Sequence, residues 1–136
     1  MVRINLQYEG DLRVRAEHAP SGVTLKTDAP VDNQGKAASF SPTDLVATGL
    51  GSCMAASMGI VARREGIDLK GMSIEVNKIM SQDPPRRIDT LEVELKIPTR
   101  PDSDKIALLE ETALHCPAAK SIHPQIKMKV NFHWGT

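Results

Sequence analysis

The chain has no excess of charge: seventeen Lys and Arg stand against seventeen Asp and Glu over 136 residues. Without a net field to gather polyanions, a nucleic-acid interface or an anionic membrane surface is not expected. The pairs Arg63-Arg64 and Arg86-Arg87 read as solvated. A basic segment followed by a long apolar run is also missing at the start, where Met1 leads into the strand-like VRINLQY. No secretory signal is read there, and the chain is expected to be cytoplasmic. Cysteine is scarce, with only Cys53 and Cys116, 63 positions apart. In a reducing compartment such a pair is not expected to serve as a purely structural disulfide. CxxC and zinc-finger spacings are lacking. His115, His123 and His133 do not stand at standard zinc spacing beside the cysteines, so no metal site is expected.

What the chain does have is length for one domain, 1–136, with a core of its own. Val2, Ile4, Leu6 and Tyr8 alternate with polar residues, as do Leu91, Val93, Leu95 and Ile97, and Ile126 through Trp134. The segment Met72–Met80 is similar. This period of two predicts half-buried strands. Leu12, Val14 and Ala16 follow the turn Glu9-Gly10-Asp11 as a second strand, and Val23 to Thr27 makes a third after Ser21-Gly22. One-faced strands joined by short turns predict antiparallel sheets. A first helix opens at Ser41-Pro42-Thr43-Asp44, where Ser41 caps, Pro42 suits the first position and Asp44 closes an acidic variant of the capping box. Gly66 stops it. A second helical region runs from about Asp102 to His115 and continues past Pro117. The whole reads as an α+β domain, with a mobile loop from Asp28 to Ser39.

The first helix carries no charge over the eighteen residues from Leu45 to Ala62 and is apolar nearly all round. That length grazes the limit for a membrane span. Gly49, Gly51, Gly59, Thr48, Ser52 and Ser57 keep it only modestly hydrophobic, so it reads as a buried helix of a soluble protein. A sheet covers one side of such a helix. Three internal glycines, each costing about 1 kcal/mol against alanine, make sense where another backbone comes close. A homodimer is the economical way to cover the second side; the helices after Asp102 are the alternative cover.

A cysteine reacts as its thiolate, and apolar burial alone disfavours that form. Cys53 therefore needs a cation or a hydrogen-bond donor if it is a nucleophile. Arg13 and Arg15, on the polar face of the second strand, are candidates, although both could be solvated and paired with Glu17 or Gln7. Cys116 precedes Pro117 and can cap the turn from Pro117 to Ile122.

The segments SPTDLVATGLGSCM (41–54) and HCPAAKSIH (115–123) closely resemble the OsmC/Ohr family of bacterial peroxide-resistance proteins. SGVTLKTDAP and the element order fit the same family, so the likeness covers essentially the whole chain. The resemblance implies an OsmC-like fold, with antiparallel sheets around long central helices and two subunits interlocked as a homodimer. It also implies thiol-dependent reduction of organic hydroperoxides, restored by a dithiol reductant, with no cofactor. Carried over by position, Cys53 matches the peroxidatic cysteine and Cys116 the resolving one. Arg13 matches the activating arginine, with Arg15 the alternative. The family's best studied peroxidases place a glutamate ten residues before the first cysteine. Here that position is Thr43 with Asp44 beside it, and Asp44 is the candidate substitute. The apolar neighbours Leu50, Met54 and Met58 would suit an alkyl or lipid hydroperoxide. A non-catalytic protein holding a small ligand, or a redox sensor, is the rival reading.

Overall fold

The computed structural model describes all of residues 1–136, which gather into two compact units, 1–46 and 47–136. In the first, β1 (Ile4–Gly10), β2 (Arg13–His18) and β3 (Thr24–Asp28) form an antiparallel meander in the order β1-β2-β3. Gly10, Asp11 and Leu12 all take positive φ at the first turn, which glycine and aspartate tolerate best. The second hairpin closes where His18 N–H donates to Val23 O at 2.9 Å. Counting outward from it pairs Ala16 with Leu25, Val14 with Thr27 and Arg13 with Asp28.

The loop after β3, expected to be mobile, is tied along its length. Asp28 N–H donates to Phe40 O, Ala37 N–H to Ala29 O, and both Asn33 and Gly35 N–H to Pro30 O. A single 3-10 turn, Val31–Asn33, sits inside it. A Cβ on Gly35 would lie 1.7 Å from the Ala29 carbonyl oxygen, so the loop closes this tightly only with glycine there.

Helix α1 (Pro42–Arg64) starts at the end of the first unit. The reciprocal cap forms as the sequence predicts: Ser41 N–H donates to Asp44 Oδ2 at 2.8 Å and Asp44 N–H to Ser41 Oγ at 3.1 Å. Gly66 ends the helix with φ +68°, and Ile67 N–H reaches back to Ala62 O at 2.8 Å.

In the second unit β4 (Ser73–Met80), β5 (Ile88–Ile97) and β6 (Lys127–Trp134) form a sheet in that order, with α2 (Ser103–Leu114) and α3 (Pro117–Ser121) between β5 and β6. One pairing departs from the expected antiparallel sheets. β4 and β5 are antiparallel, but β5 and β6 run parallel, Leu91 opposite Met128 and Val93 opposite Val130. The reason is connectivity: α2 and α3 carry the chain back across the sheet, so β6 re-enters in the direction of β5. Leu50, Met54 and Met58 of α1 pack with Leu91, Val93, Leu95 and Ile97 of β5 and with Leu109 and Ala113 of α2 in one fully buried core. Gly51 permits the approach, since a Cβ there would lie 2.9 Å from Val76 Cγ2 of β4. Trp134 closes the end of the core while its Nε1–H donates to Glu110 Oε1 at 2.9 Å.

Two apolar surfaces stay uncovered. On β1, Ile4, Leu6 and Tyr8 are 59, 68 and 64 % exposed, although their alternation predicts a half-buried strand. On α1, Gly49, Ser52, Ala56 and Ile60 form an exposed stripe at helical spacing. A Cβ on Gly49 or Gly59 would meet nothing within 4 Å.

Candidate active site

The second unit brings the two cysteines together, as their assignment to one redox pair requires. Cys53 lies on α1 one residue before the fully buried Met54, at the edge of the helix's core face, and is half-buried. Cys116 is the N-cap residue of α3, followed by Pro117 at the first helical position, and is 1 % exposed. The start of α3 serves both sulfurs. Ala118 N–H donates to Cys53 Sγ and Ala119 N–H to Cys116 Sγ, each at 3.5 Å. These amides belong to the first turn of a helix, where no carbonyl competes for them.

The environment of Cys116 favours the neutral thiol. Burial is the largest influence and raises its pKa; the Ala119 amide opposes this, and the adjoining Cys53 side chain raises it further. A negative charge on the neighbouring sulfur would disfavour one on Cys116, which acts in the same direction as burial. Of the two sulfurs, that of half-buried Cys53 is the one solvent can reach, while Cys116 is sealed.

Arg13 and Asp44 belong to the first unit. Arg13 pairs with Asp28, Nε to Oδ2 at 3.7 Å, directly across the β2–β3 ladder. Asp28 was not among the site candidates, yet it is 2 % exposed and carries that pair. Its signal was the hairpin itself: once the turn at Ala19–Gly22 is placed, counting outward puts Asp28 opposite Arg13. The Ala38 N–H bond to Oδ2 at 3.0 Å lowers its pKa most; burial opposes, and the Arg13 charge lowers it again. Asp44 engages its carboxylate in the helix cap. Arg15 pairs with Glu17 at 3.6 Å, the solvated arrangement open to it from the sequence.

Leu50, Met54 and Met58 cannot form the expected substrate lining, because all three are sealed in the core against β5. The histidines are occupied apart from the cysteines. His133 Nε2 contacts Glu94 Oε2 at 2.6 Å, His115 Nδ1 contacts Glu111 O at 2.9 Å, and His123 Nδ1 accepts from Gln125 N–H at 3.1 Å. No group of three or more His, Cys, Asp or Glu is placed to hold a metal ion.

A family model described as OsmC-like protein matches residues 34–131. A crystal structure from Psychrobacter arcticus 273-4, provisionally described as an osmotic stress induced and detoxification response protein, is 47% identical. The alignment covers 98% of this chain and 96% of that one with TM-score 0.92. Two more distant structures share the fold. The Legionella pneumophila organic hydroperoxide resistance protein OsmC is 16% identical over 98% of this chain and 96% of that one, TM-score 0.78. An OsmC-like protein from Mycoplasma pneumoniae is 18% identical over 100% and 98%, TM-score 0.80. No curated protein matches the sequence.

Proposed function

The chain belongs to the OsmC-like protein family, and from that premise we propose that it is a thiol-dependent peroxidase that reduces organic hydroperoxides in oxidative stress defence. The observation that carries the reading is the adjoining thiol pair, one sulfur accessible and one buried with a raised pKa, both bonded by amides of the same helical turn. Arg13 is the cation assigned to hold Cys53 as thiolate and to orient the peroxide. Asp44 fixes the point at which the cysteine-bearing helix begins.

In the first step the Cys53 thiolate attacks the distal peroxide oxygen. The S–O bond forms as the O–O bond breaks, the alkoxide takes a proton and leaves as an alcohol, and Cys53 becomes a sulfenic acid. The Cys116 thiol, deprotonated as it attacks, then displaces hydroxide from the sulfenic sulfur. Water leaves and the Cys53–Cys116 disulfide remains. A dithiol reduces it by two exchanges, becoming a disulfide itself.

Turnover is the test. With cumene hydroperoxide and a dithiol, the protein is expected to consume many equivalents of peroxide per chain. Formation of the disulfide without sustained consumption would make it a sensor, and no oxidation of Cys53 at all would leave a binding protein.

The protein is proposed to act as a homodimer. Exposed Ile4, Leu6 and Tyr8 on β1 and the small-residue stripe on α1 are faces that a second copy would cover, and Gly49 and Gly59 leave room for its backbone. Sedimentation is expected to give twice the chain mass, and Leu6→Asp to shift it to the mass of one chain. A monomeric parent refutes the pairing.

A further inference from the structure

We infer that Asp28 is the positioning residue for Arg13, a buried carboxylate that holds the guanidinium by its Nε and fastens the 29–40 loop to the same point. The inference rests on the reading of Arg13 as the cation serving Cys53.

The first unit carries three basic residues on β2 and β3, and they are paired differently. Arg15 meets Glu17 on its own strand, and Lys26 meets Glu9 at 3.2 Å, with all four side chains substantially exposed. Arg13 alone faces a buried acid. Ladder register places the two directly opposite, where cross-strand pairs interact most strongly. An ionised carboxylate taken out of water needs compensation. Asp28 receives it from the Ala38 amide and the Arg13 charge.

The contact is an ion pair rather than a closed hydrogen bond, since 3.7 Å exceeds bonding distance. Arg13 Nε and Asp28 Oδ1 are both buried without a hydrogen-bond partner. Burying such atoms is costly, and a salt bridge needed only for stability would be expected to close over them. The carboxylate faces the Nε side of the guanidinium, while the side chain remains 39 % exposed. Attraction from that side constrains a planar fork in a way that it cannot constrain a point charge. Arg13 also borders a cleft of ≈ 230 Å³ whose other wall includes Gln34, Gly35 and Lys36. Asp28 contacts Arg13 in one wall and bonds the Ala38 amide two residues beyond Lys36 of the other.

The test measures alkylation of Cys53 against pH in a Cys116→Ser background, so that a single thiol reports. Asp28→Asn keeps an acceptor for the Ala38 amide and removes the charge. With Arg13 present it is expected to slow alkylation at pH 7 about tenfold, equivalent to one unit of thiol pKa. With Arg13→Ala already in place it is expected to add nothing. Equal slowing in both backgrounds would make Asp28 a loop fastening only, and faster alkylation would make it a damper of the arginine; either overturns the inference. A parent-like Asp28→Asn beside a slow Arg13→Ala overturns it while leaving the arginine's role intact. A parent-like Arg13→Ala removes both. Should Asp28→Asn melt below the assay temperature, Arg13→Lys carries the test: it keeps a charge for Asp28 but loses the fork. It is expected to react as slowly as Arg13→Ala, and a parent-like rate refutes the positioning role.

Discussion

Cys53→Ser is expected to lower hydroperoxide consumption by at least about a thousandfold, as removal of a covalent nucleophile does in enzymes whose chemistry passes through it. The substitution is mild for the fold. Cys53 is half-buried at the edge of the core face, and a serine hydroxyl can still accept from the Ala118 amide. The melting temperature should therefore change little while turnover disappears. Thiols and hydroxyls differ in chemistry: the thiolate is the reactive nucleophile, and an alcohol ionises far less readily than a thiol. Peroxide consumption with cumene hydroperoxide and dithiol, measured beside a thermal melt, checks both halves. A serine variant as active as the parent would end the peroxidase proposal.

Cys116→Ser should separate the two chemical steps. Serine is a preferred N-cap residue, so α3 keeps its start and the variant tests the sulfur rather than the helix. Oxidation of Cys53 by one equivalent of peroxide should proceed as in the parent. The sulfenic acid then has no internal thiol to meet, and dithiol-supported turnover should fall on the order of tenfold or more. Trapping the sulfenic acid with a dimedone reagent reads the first effect, and steady-state consumption reads the second.

The same variant has a signature in stability. Burial raises the pKa of Cys116 in the folded protein, and the neighbouring sulfur adds to it. Once pH exceeds the ordinary thiol value of about 8.5, the unfolded chain releases this proton while the folded chain retains it. The unfolded state then binds fewer protons, and stability falls with rising pH until the folded thiol also ionises. Urea unfolding of the reduced parent from pH 7 to 10 should show that alkaline decline, and Cys116→Ser should show less of it.

Local structure was legible in the sequence wherever one physical rule governed it. Alternation located four strands and the turns Glu9-Gly10-Asp11 and Ser21-Gly22 two more, all to within a few residues, because a strand with one apolar face has no other period available. Ser41-Pro42-Thr43-Asp44 marked the helix start through bonds that form between neighbours. Relations that depend on where a segment returns were harder to see. The parallel β5–β6 pair followed from the helices between those strands rather than from the residues of either. Leu50, Met54 and Met58 looked suited to a ligand because composition cannot tell a lining from a core, and the sheet beneath them settled it. The cysteine pair was suggested by the family likeness and could not have been read from spacing, since 62 intervening residues place no constraint on two sulfurs. Asp28 was the opposite case. Its pairing follows from counting along a short hairpin, whereas Asp44, the acid in the first turn of the cysteine-bearing helix, is engaged by the helix cap.

Because β6 follows β4 and β5 in the chain and pairs in parallel with β5, the sheet of the second unit cannot be completed on the ribosome until residues 127–134 have emerged. The meander of residues 4–28 needs no such delay, since each of its strands pairs with the one just made. Until residues 127–134 have emerged, β5 has an open backbone edge and Leu91, Val93 and Leu95 lack their final neighbour, so arrival of β6, rather than growth of the core, sets when this sheet can close.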